Sequence, residues 1–361
     1  MLKIRIARTH PSYFPVGRVK KGFLRMPVPA QRVATAARPC EAFAMPKPRR
    51  YAILGTGALG GFYGARLNRS GAEVHFLLHS DFDHVRDHGL VIDSKDGDFV
   101  LPKVQAYRDV RDMPPCDVAM VALKTTQNHL LPMLLPPVLA PRGVVLLMQN
   151  GLGGEEEAAR AAPGHDVVAG LCFLCSNKAG PGHICHLDYG TVRFAQYGGD
   201  TAVVPVSDRM REIAEDFTRA GIQVDMKEDL LLARWQKLVW NVPMSGLSVV
   251  LDTDTLALMA DPQTLALAEE LMLEVVAGAR ACGRDIRDSF VRKMIDMTVA
   301  MPPYHASMKI DFDAGRPMEV ESIYGNPLRA AGAAGADLPL VEMLYQQLKF
   351  LDATRSKRIR P

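Results

Sequence analysis

The sequence predicts an α/β domain with a mostly parallel sheet, followed by a largely helical domain. Three observations carry this reading. From Tyr51 onward, short apolar runs alternate with helical patterns, the order expected of βαβ units. A glycine-rich turn stands between the first apolar run and the first helix. From about Asp229 the texture changes to long Ala/Leu/Met-rich segments of helical period, without strand-like alternation.

Residues 1–44 stand apart from this pattern. They hold nine basic residues, one acid (Glu41) and five prolines, with no apolar face to offset the entropy of ordering them. Two readings of the tail are open: an Arg-rich organelle transit peptide, or translated sequence upstream of a start at Met45. The second is preferred, because Met45 lies six residues before the first strand. With +8 assigned to the tail, the chain's formal +3 becomes −5 for residues 45–361. Overall basicity therefore gives no argument for nucleic acid or acidic partners.

The elements follow in order. Tyr51 to Leu54 reads as a buried strand, Gly61 to Ser70 as a helix and Val74 to Leu78 as a second strand. Val118 to Leu123 and Val144 to Met148 are continuous and apolar, as central parallel strands should be. Val167 to about Tyr197 is a looser β region with glycines, expected to add strands at one edge of the sheet. Leu230 to Leu251, Pro262 to Cys282 and Ser289 to Met301 read as long helices. The division falls near residue 225, giving domains of residues 45–225 and 226–361. Leu130 to Met148 is the most apolar region, but Pro132, Pro136, Pro137, Pro141 and Arg142 break it, so no membrane span is expected. Six cysteines in 361 residues do not make a disulfide scaffold. A reducing, cytoplasmic compartment is the default, and organelle import would require a genuine transit peptide.

Gly55-Thr56-Gly57-Ala58-Leu59-Gly60 leaves the first strand and opens the first helix. The first glycine permits the turn, the second lets a pyrophosphate approach the backbone, and the third lets helix and strand pack closely. Strand, helix and second strand stand at the spacing of a Rossmann-like dinucleotide site. At the end of the second strand, where a carboxylate would receive the ribose 2′-hydroxyl of NAD, the chain has Leu78-His79-Ser80. A 2′-phosphate is not repelled there, and His79 and Ser80 can donate hydrogen bonds to it. NADPH is therefore preferred, with NADH kept open by Asp81; a solvated loop is the plain reading of His79. Lys124 in Leu123-Lys124-Thr125-Thr126-Gln127 and Asn150 in Gln149-Asn150-Gly151-Leu152-Gly153 leave the carboxyl ends of two central strands, where ligands of open α/β sheets bind.

In the helical part, Lys237 and Asn241 stand four apart among apolar neighbours and share one helix face. Desolvation would lower the lysine's pKa and suit it to proton transfer; the plain alternative is a snorkelling lysine on an amphipathic helix. Pro317 followed by Glu319 and Glu321 reads as a helix start, with the acids in the first turn answering the helix dipole or, alternatively, with Glu319 facing the cleft and Lys237. Cys172-x-x-Cys175, His183, Cys185 and His186 suggest zinc at first sight. Strand alternation would send Cys172 and Cys175 to opposite faces, so buried packing is preferred and no metal is expected.

Taken together, these motifs resemble the ketopantoate reductase family, from Tyr51 to about Leu351. The glycine motif Gly55 to Gly61, Leu123-Lys124 with Gln127, Asn150-Gly151-Leu152-Gly153, Lys237-Leu238-Val239-Trp240-Asn241, and Ser307-Met308 with Glu319 and Gly325 stand in the family's order. The resemblance implies an α/β Rossmann-like N-terminal domain and an all-α C-terminal domain of the 6-phosphogluconate dehydrogenase C-terminal-like type. It implies an NADP-dependent oxidoreductase that reduces 2-dehydropantoate to pantoate in pantothenate and coenzyme A biosynthesis. Lys237 would be the proton donor, and Glu319 would anchor that lysine or the substrate. Asn241, Ser245, Ser307 and Lys124 would hold substrate, with Lys124 and Asn150 bordering the nicotinamide. Two positions depart from the pattern: Ser245 stands where some members have asparagine, and His79 where an arginine often grips the 2′-phosphate. Another 2-oxo acid or an opine-type imine remains an alternative substrate. A non-catalytic dinucleotide sensor is the alternative from another class, against which the retained Lys237 and Glu319 speak. A homodimer interface on the helical domain is left open.

Overall fold

The computed structural model describes residues 48–199 and 201–358. The basic tail read at residues 1–44 lies outside them. Ten strands form one sheet: β1 (Arg50–Leu54), β2 (Glu73–Leu77), β3 (Leu90–Ser94), β4 (Phe99–Leu101), β5 (Gln105–Tyr107), β6 (Cys116–Val121), β7 (Leu139–Leu147), β8 (Asp166–Gly180), β9 (His183–Gln196) and β10 (Val224–Lys227). Their order is β4-β3-β9-β8-β7-β6-β1-β2-β5, with β10 also pairing β9. The segment β8-β7-β6-β1-β2-β5 is parallel throughout, and β9 turns back antiparallel on β8.

Five helices accompany the sheet: α1 (Ala58–Arg69), α2 (Phe82–His88), α3 (Leu131–Val138), α4 (Gly154–Ala161) and α5 (Asp208–Arg219). The central strands are apolar throughout because both faces are covered. Alternation sends Tyr51 and Ile53 to one face, against Phe62 and Tyr63 of α1 and Phe217 of α5. Ala52 and Leu54 go to the other, against Leu131 and Leu135 of α3 and Ala158 of α4. The third glycine of the loop secures this packing: a Cβ on Gly60 would lie 2.1 Å from the Gly55 carbonyl oxygen and 2.9 Å from the Ala122 Cβ.

After Lys227 every described element is helical: α6 (Leu230–Val250), α7 (Thr255–Ala260), α8 (Pro262–Ala281), α9 (Asp288–Val299), α10 (Ser307–Asp313), α11 (Asn326–Ala333) and α12 (Pro339–Arg358). Trp235, Leu238, Val239 and Val242 of α6 pack with Leu271, Met272, Val275 and Val276 of α8 in one buried cluster. No helix among the described residues is long and apolar enough to cross a membrane.

Two expectations need correction. The Val167 to Tyr197 region is not at an edge: β8 and β9 form a long hairpin inside the sheet, and β3 continues beyond β9. The ends of the main strand order are the short strands β4 and β5, which carry too few residues for an apolar period to show. Helix start at Pro317 is also displaced. The chain becomes helical at Val320, makes one π-helical turn over Glu321–Gly325 and runs into α11. Glu319 thus precedes the first turn and faces another loop.

Candidate active site

The strand order reverses at β1, which lies between β2 and β6. Such a reversal opens a crevice at the carboxyl ends of the strands. The glycine loop leaves β1 there, Leu123-Lys124 leaves β6 and Gln149-Asn150 leaves β7. Gly55 takes φ +102°, which only glycine adopts without strain, and Thr56 Oγ1 donates to the Leu77 carbonyl at 3.0 Å, tying the loop to the end of β2. Gly57 is the N-cap of α1, has no side-chain cap and is followed by no acid in the first turn. A Cβ added to Gly57 would meet nothing within 4 Å. The turn thus offers open space beside free backbone N–H groups and the positive end of a helix, which fits the pyrophosphate of a dinucleotide.

The end of β2 is where NAD and NADP, which differ at the ribose 2′ position, would be told apart. His79 and Ser80 are exposed, whereas Asp81 is buried. Its carboxylate pairs with Lys178 at 2.5 Å and accepts from the Gly182 N–H at 3.0 Å and from Ser80 Oγ at 3.0 Å. Burial alone would push this carboxyl up, but those three donors outweigh it and hold it below its usual value. Asp81 is thus turned into the β8–β9 hairpin with its lone pairs engaged. The Ser80 hydroxyl is engaged as a hydrogen-bond donor to Asp81, which leaves His79 as the exposed donor at this point.

Across from the strand ends, α6 presents Lys237, Asn241 and Ser245 at intervals of four, hence on one face. Lys237 is half-buried, and its Nζ donates to the Cys172 carbonyl of β8 at 2.6 Å and lies 5.4 Å from the centre of the Phe173 ring. Desolvation lowers its pKa to about 8, aided by the nearby Arg234 and Arg193 charges and opposed by Cys172 and Glu319. Asn241 and Ser245 are buried, and Ser307 is half-buried at the first residue of α10. Cys172 is itself buried and its thiol is pushed up to about 11, a packing residue whose backbone oxygen is the part that meets the lysine.

Glu319 is where the geometry departs from the simplest expectation. It makes no hydrogen bond to Lys237 among the described residues. Its buried carboxylate accepts from the Thr125 N–H at 2.9 Å and Thr125 Oγ1 at 3.1 Å, and pairs with Lys124 Nζ at 3.4 Å. Lys124 also pairs with Asp311 of α10 at 2.8 Å. Burial would depress the Lys124 pKa, but Glu319 and Asp311 raise it above the usual lysine value. The lysine of the β6 loop is therefore held as a cation by two acids of the helical half, while the lysine of α6 is poised near neutrality.

The groups that hold the two halves in register leave no local mark in the sequence. Arg234 of α6 is buried, donates to Glu155 of α4 at 2.8 Å and to the Gln149 carbonyl at 2.6 Å. Gln149 Nε2 in turn donates to the Leu123 carbonyl at 2.9 Å. Leu152 N–H donates to the Ser322 carbonyl at 2.9 Å, and Asn326 Nδ2 to the Leu152 carbonyl at 2.7 Å. Thr125, Asp311, Arg234 and Glu155 carried no spacing signal, because each acts through a partner far along the chain.

A dinucleotide crevice faced by a half-buried lysine of lowered pKa defines a nicotinamide-dependent oxidoreductase of two-domain build. Comparison with known proteins agrees. Residues 51–199 match the family model described as ketopantoate reductase PanE/ApbA, and residues 229–352 match its C-terminal counterpart. The chain is 58% identical over 304 residues to a 2-dehydropantoate 2-reductase of Nostoc sp., covering 84% of this chain and 95% of that protein. The crystal structure of 2-dehydropantoate 2-reductase from Geobacter metallireducens is 38% identical with a TM-score of 0.78, covering 83% of this chain and 99% of that one. That from Methylococcus capsulatus is 34% identical with a TM-score of 0.76, covering 85% and 98%. A D-mandelate dehydrogenase solved with NADH and anilino(oxo)acetate, at 19% identity and TM-score 0.75, shares the fold. The chain belongs to the ketopantoate reductase PanE/ApbA family.

Proposed function

We propose that this chain reduces 2-dehydropantoate (ketopantoate) to pantoate with NADPH, and that Lys237 delivers the proton. The observation that carries the reading is Lys237, half-buried on α6 with a pKa near 8 and facing the carboxyl ends of the sheet. When bound, the nicotinamide supplies the hydride. The chain's own part is to fix the ketone and answer the charge that grows on its oxygen. An ammonium aimed at that oxygen stabilises the alkoxide more than the ground-state carbonyl, and it has a proton to give. Its 2.6 Å hydrogen bond to the Cys172 carbonyl keeps the Nζ oriented. Asn241, Ser245 and Ser307 offer amide and hydroxyl groups for the substrate's polar atoms. Glu319 acts on the reaction through Lys124 and Thr125: it positions the β6 loop, beside which the nicotinamide end would lie with Asn150. A reducing, cytoplasm-like compartment goes with this reading, and the five cysteines among the described residues stand as free thiols.

The first test follows NADPH absorbance with a panel of 2-oxo acids. Ketopantoate should exceed pyruvate and other unhydroxylated 2-oxo acids by about tenfold or more in kcat/KM, the discrimination one well-made polar contact can provide. Equal rates across the panel would overturn the substrate assignment. For the cofactor, NADPH should be preferred over NADH, because the Asp81 carboxylate is engaged and His79 is free to donate. His79→Ala should reduce that preference, and a wild-type preference for NADH would remove the assignment.

The pH dependence follows from the same lysine. The acid form is the charged one, so Lys237 is competent below about pH 8 and loses its proton above it. The kcat/KM for reduction, which reports ionisations of the free enzyme, should fall about tenfold per pH unit on the alkaline side. A flat profile from pH 7 to 10 would show that no group of this kind donates the proton.

A further inference from the structure

On the β3–β9 ladder, three side chains of different ligand type meet on one face of the sheet. β3 and β9 run parallel, with Val91 opposite His183 and Asp93 opposite Cys185. Residues two apart on a strand share a face, so His183 and Cys185 project together and Asp93 stands beside them. His183 Nε2 lies 2.7 Å from Asp93 Oδ2, and Cys185 Sγ lies 3.7 Å from that oxygen and 4.0 Å from the histidine nitrogen. Asp93 is exposed, and the other two are half-buried. A backbone ladder rather than a loop sets these positions.

We propose that Asp93, His183 and Cys185 form a binding site for a zinc-class divalent cation, with water completing its coordination. Tetrahedral zinc bonded at about 2.0–2.3 Å to sulfur, nitrogen and oxygen places neighbouring ligand atoms roughly 3.3–3.8 Å apart. The two sulfur separations are already close to that spacing. The shorter histidine–aspartate contact opens by side-chain rotation when the metal takes the place of the shared proton. A thiolate, an imidazole and a carboxylate together suit zinc, whereas magnesium and calcium take oxygen ligands. Binding displaces the Cys185 thiol proton to solvent and involves no change of oxidation state. The occupied site would clamp β3, and with it the edge strand β4, to β9. It uses none of the residues assigned to the reductase cleft.

The test uses the full chain, stripped of metal with a chelator and titrated with Co(II). One equivalent should produce a near-ultraviolet sulfur-to-cobalt charge-transfer band and visible bands of tetrahedral cobalt, both abolished by added Zn(II). Cys185→Ser should lose the near-ultraviolet band and bind Zn(II) at least about tenfold more weakly, a loss expected when a ligand-shell group is removed. His183→Ala should weaken binding similarly. Cys282→Ser should leave the band intact, and Cys185→Ser should keep wild-type ketopantoate turnover, which shows that it folds. A band that persists in Cys185→Ser, or the absence of any stoichiometric binding by the wild type, would overturn the site and leave the cluster a plain surface hydrogen bond.

Discussion

Lys237→Ala is expected to lower kcat for ketopantoate reduction by about 10²- to 10⁴-fold, the range that a positioned general acid contributes. Position and ionisation act together in this side chain. The Nζ is held at 2.6 Å by the Cys172 carbonyl, and desolvation brings its pKa to about 8. Removing it leaves the growing alkoxide without a proton donor, while the glycine loop and the His79 end of the crevice are untouched. NADPH affinity should therefore change little, and the loss should fall on kcat rather than on cofactor binding. Steady-state kinetics together with a fluorescence titration of NADPH separate the two. Wild-type turnover in the variant would refute the proton-donor role. An equal loss in NADPH binding would show that the lysine serves the cofactor instead.

Arg234→Met should destabilise the fold by about 3–5 kcal/mol, the cost of leaving a buried charge without its partner. Arg234 and Glu155 are both buried, and the guanidinium also satisfies the Gln149 carbonyl next to Asn150. The single variant leaves an uncompensated carboxylate and an orphaned carbonyl in the same apolar seam. Replacing both partners, as in Arg234→Met with Glu155→Leu, should recover most of the stability, since burying a charge pair is offset by its desolvation cost. Urea denaturation of the wild type and both variants measures this. A loss below about 1 kcal/mol in the single variant would show that the pair contributes little, as exposed pairs do.

The cofactor half was largely legible because its signals are local. A parallel strand buried on both faces is a continuous apolar run, and a glycine loop places three functions within six residues; β1, α1, β2, β6 and β7 stand where such signals point. The long helices α6, α8 and α9 were legible for the same reason, each having length enough to show its period. What escaped was short or mixed. β4 and β5 are three residues each, and β8 and β9 carry polar residues and glycines although they run inside the sheet. Their placement depends on which partner strand each finds, and no local pattern encodes that choice.

The site divides in the same way. By itself the sequence determined the candidates: the glycine loop, the lysine of α6 with its amide one turn on, and the missing carboxylate at the end of β2. Spacing along one element is enough for that, because residues four apart on a helix share a face whatever surrounds them. Only the tertiary structure decided how each group is ionised and what it holds. It joined Glu319 to Lys124 and Thr125 across nearly two hundred residues, drew Asp81 away behind Lys178, and set Asp93 beside His183 and Cys185. Burial and charge act through distance in space, so a lysine's pKa and a carboxylate's partner depend on packing that no stretch of sequence contains.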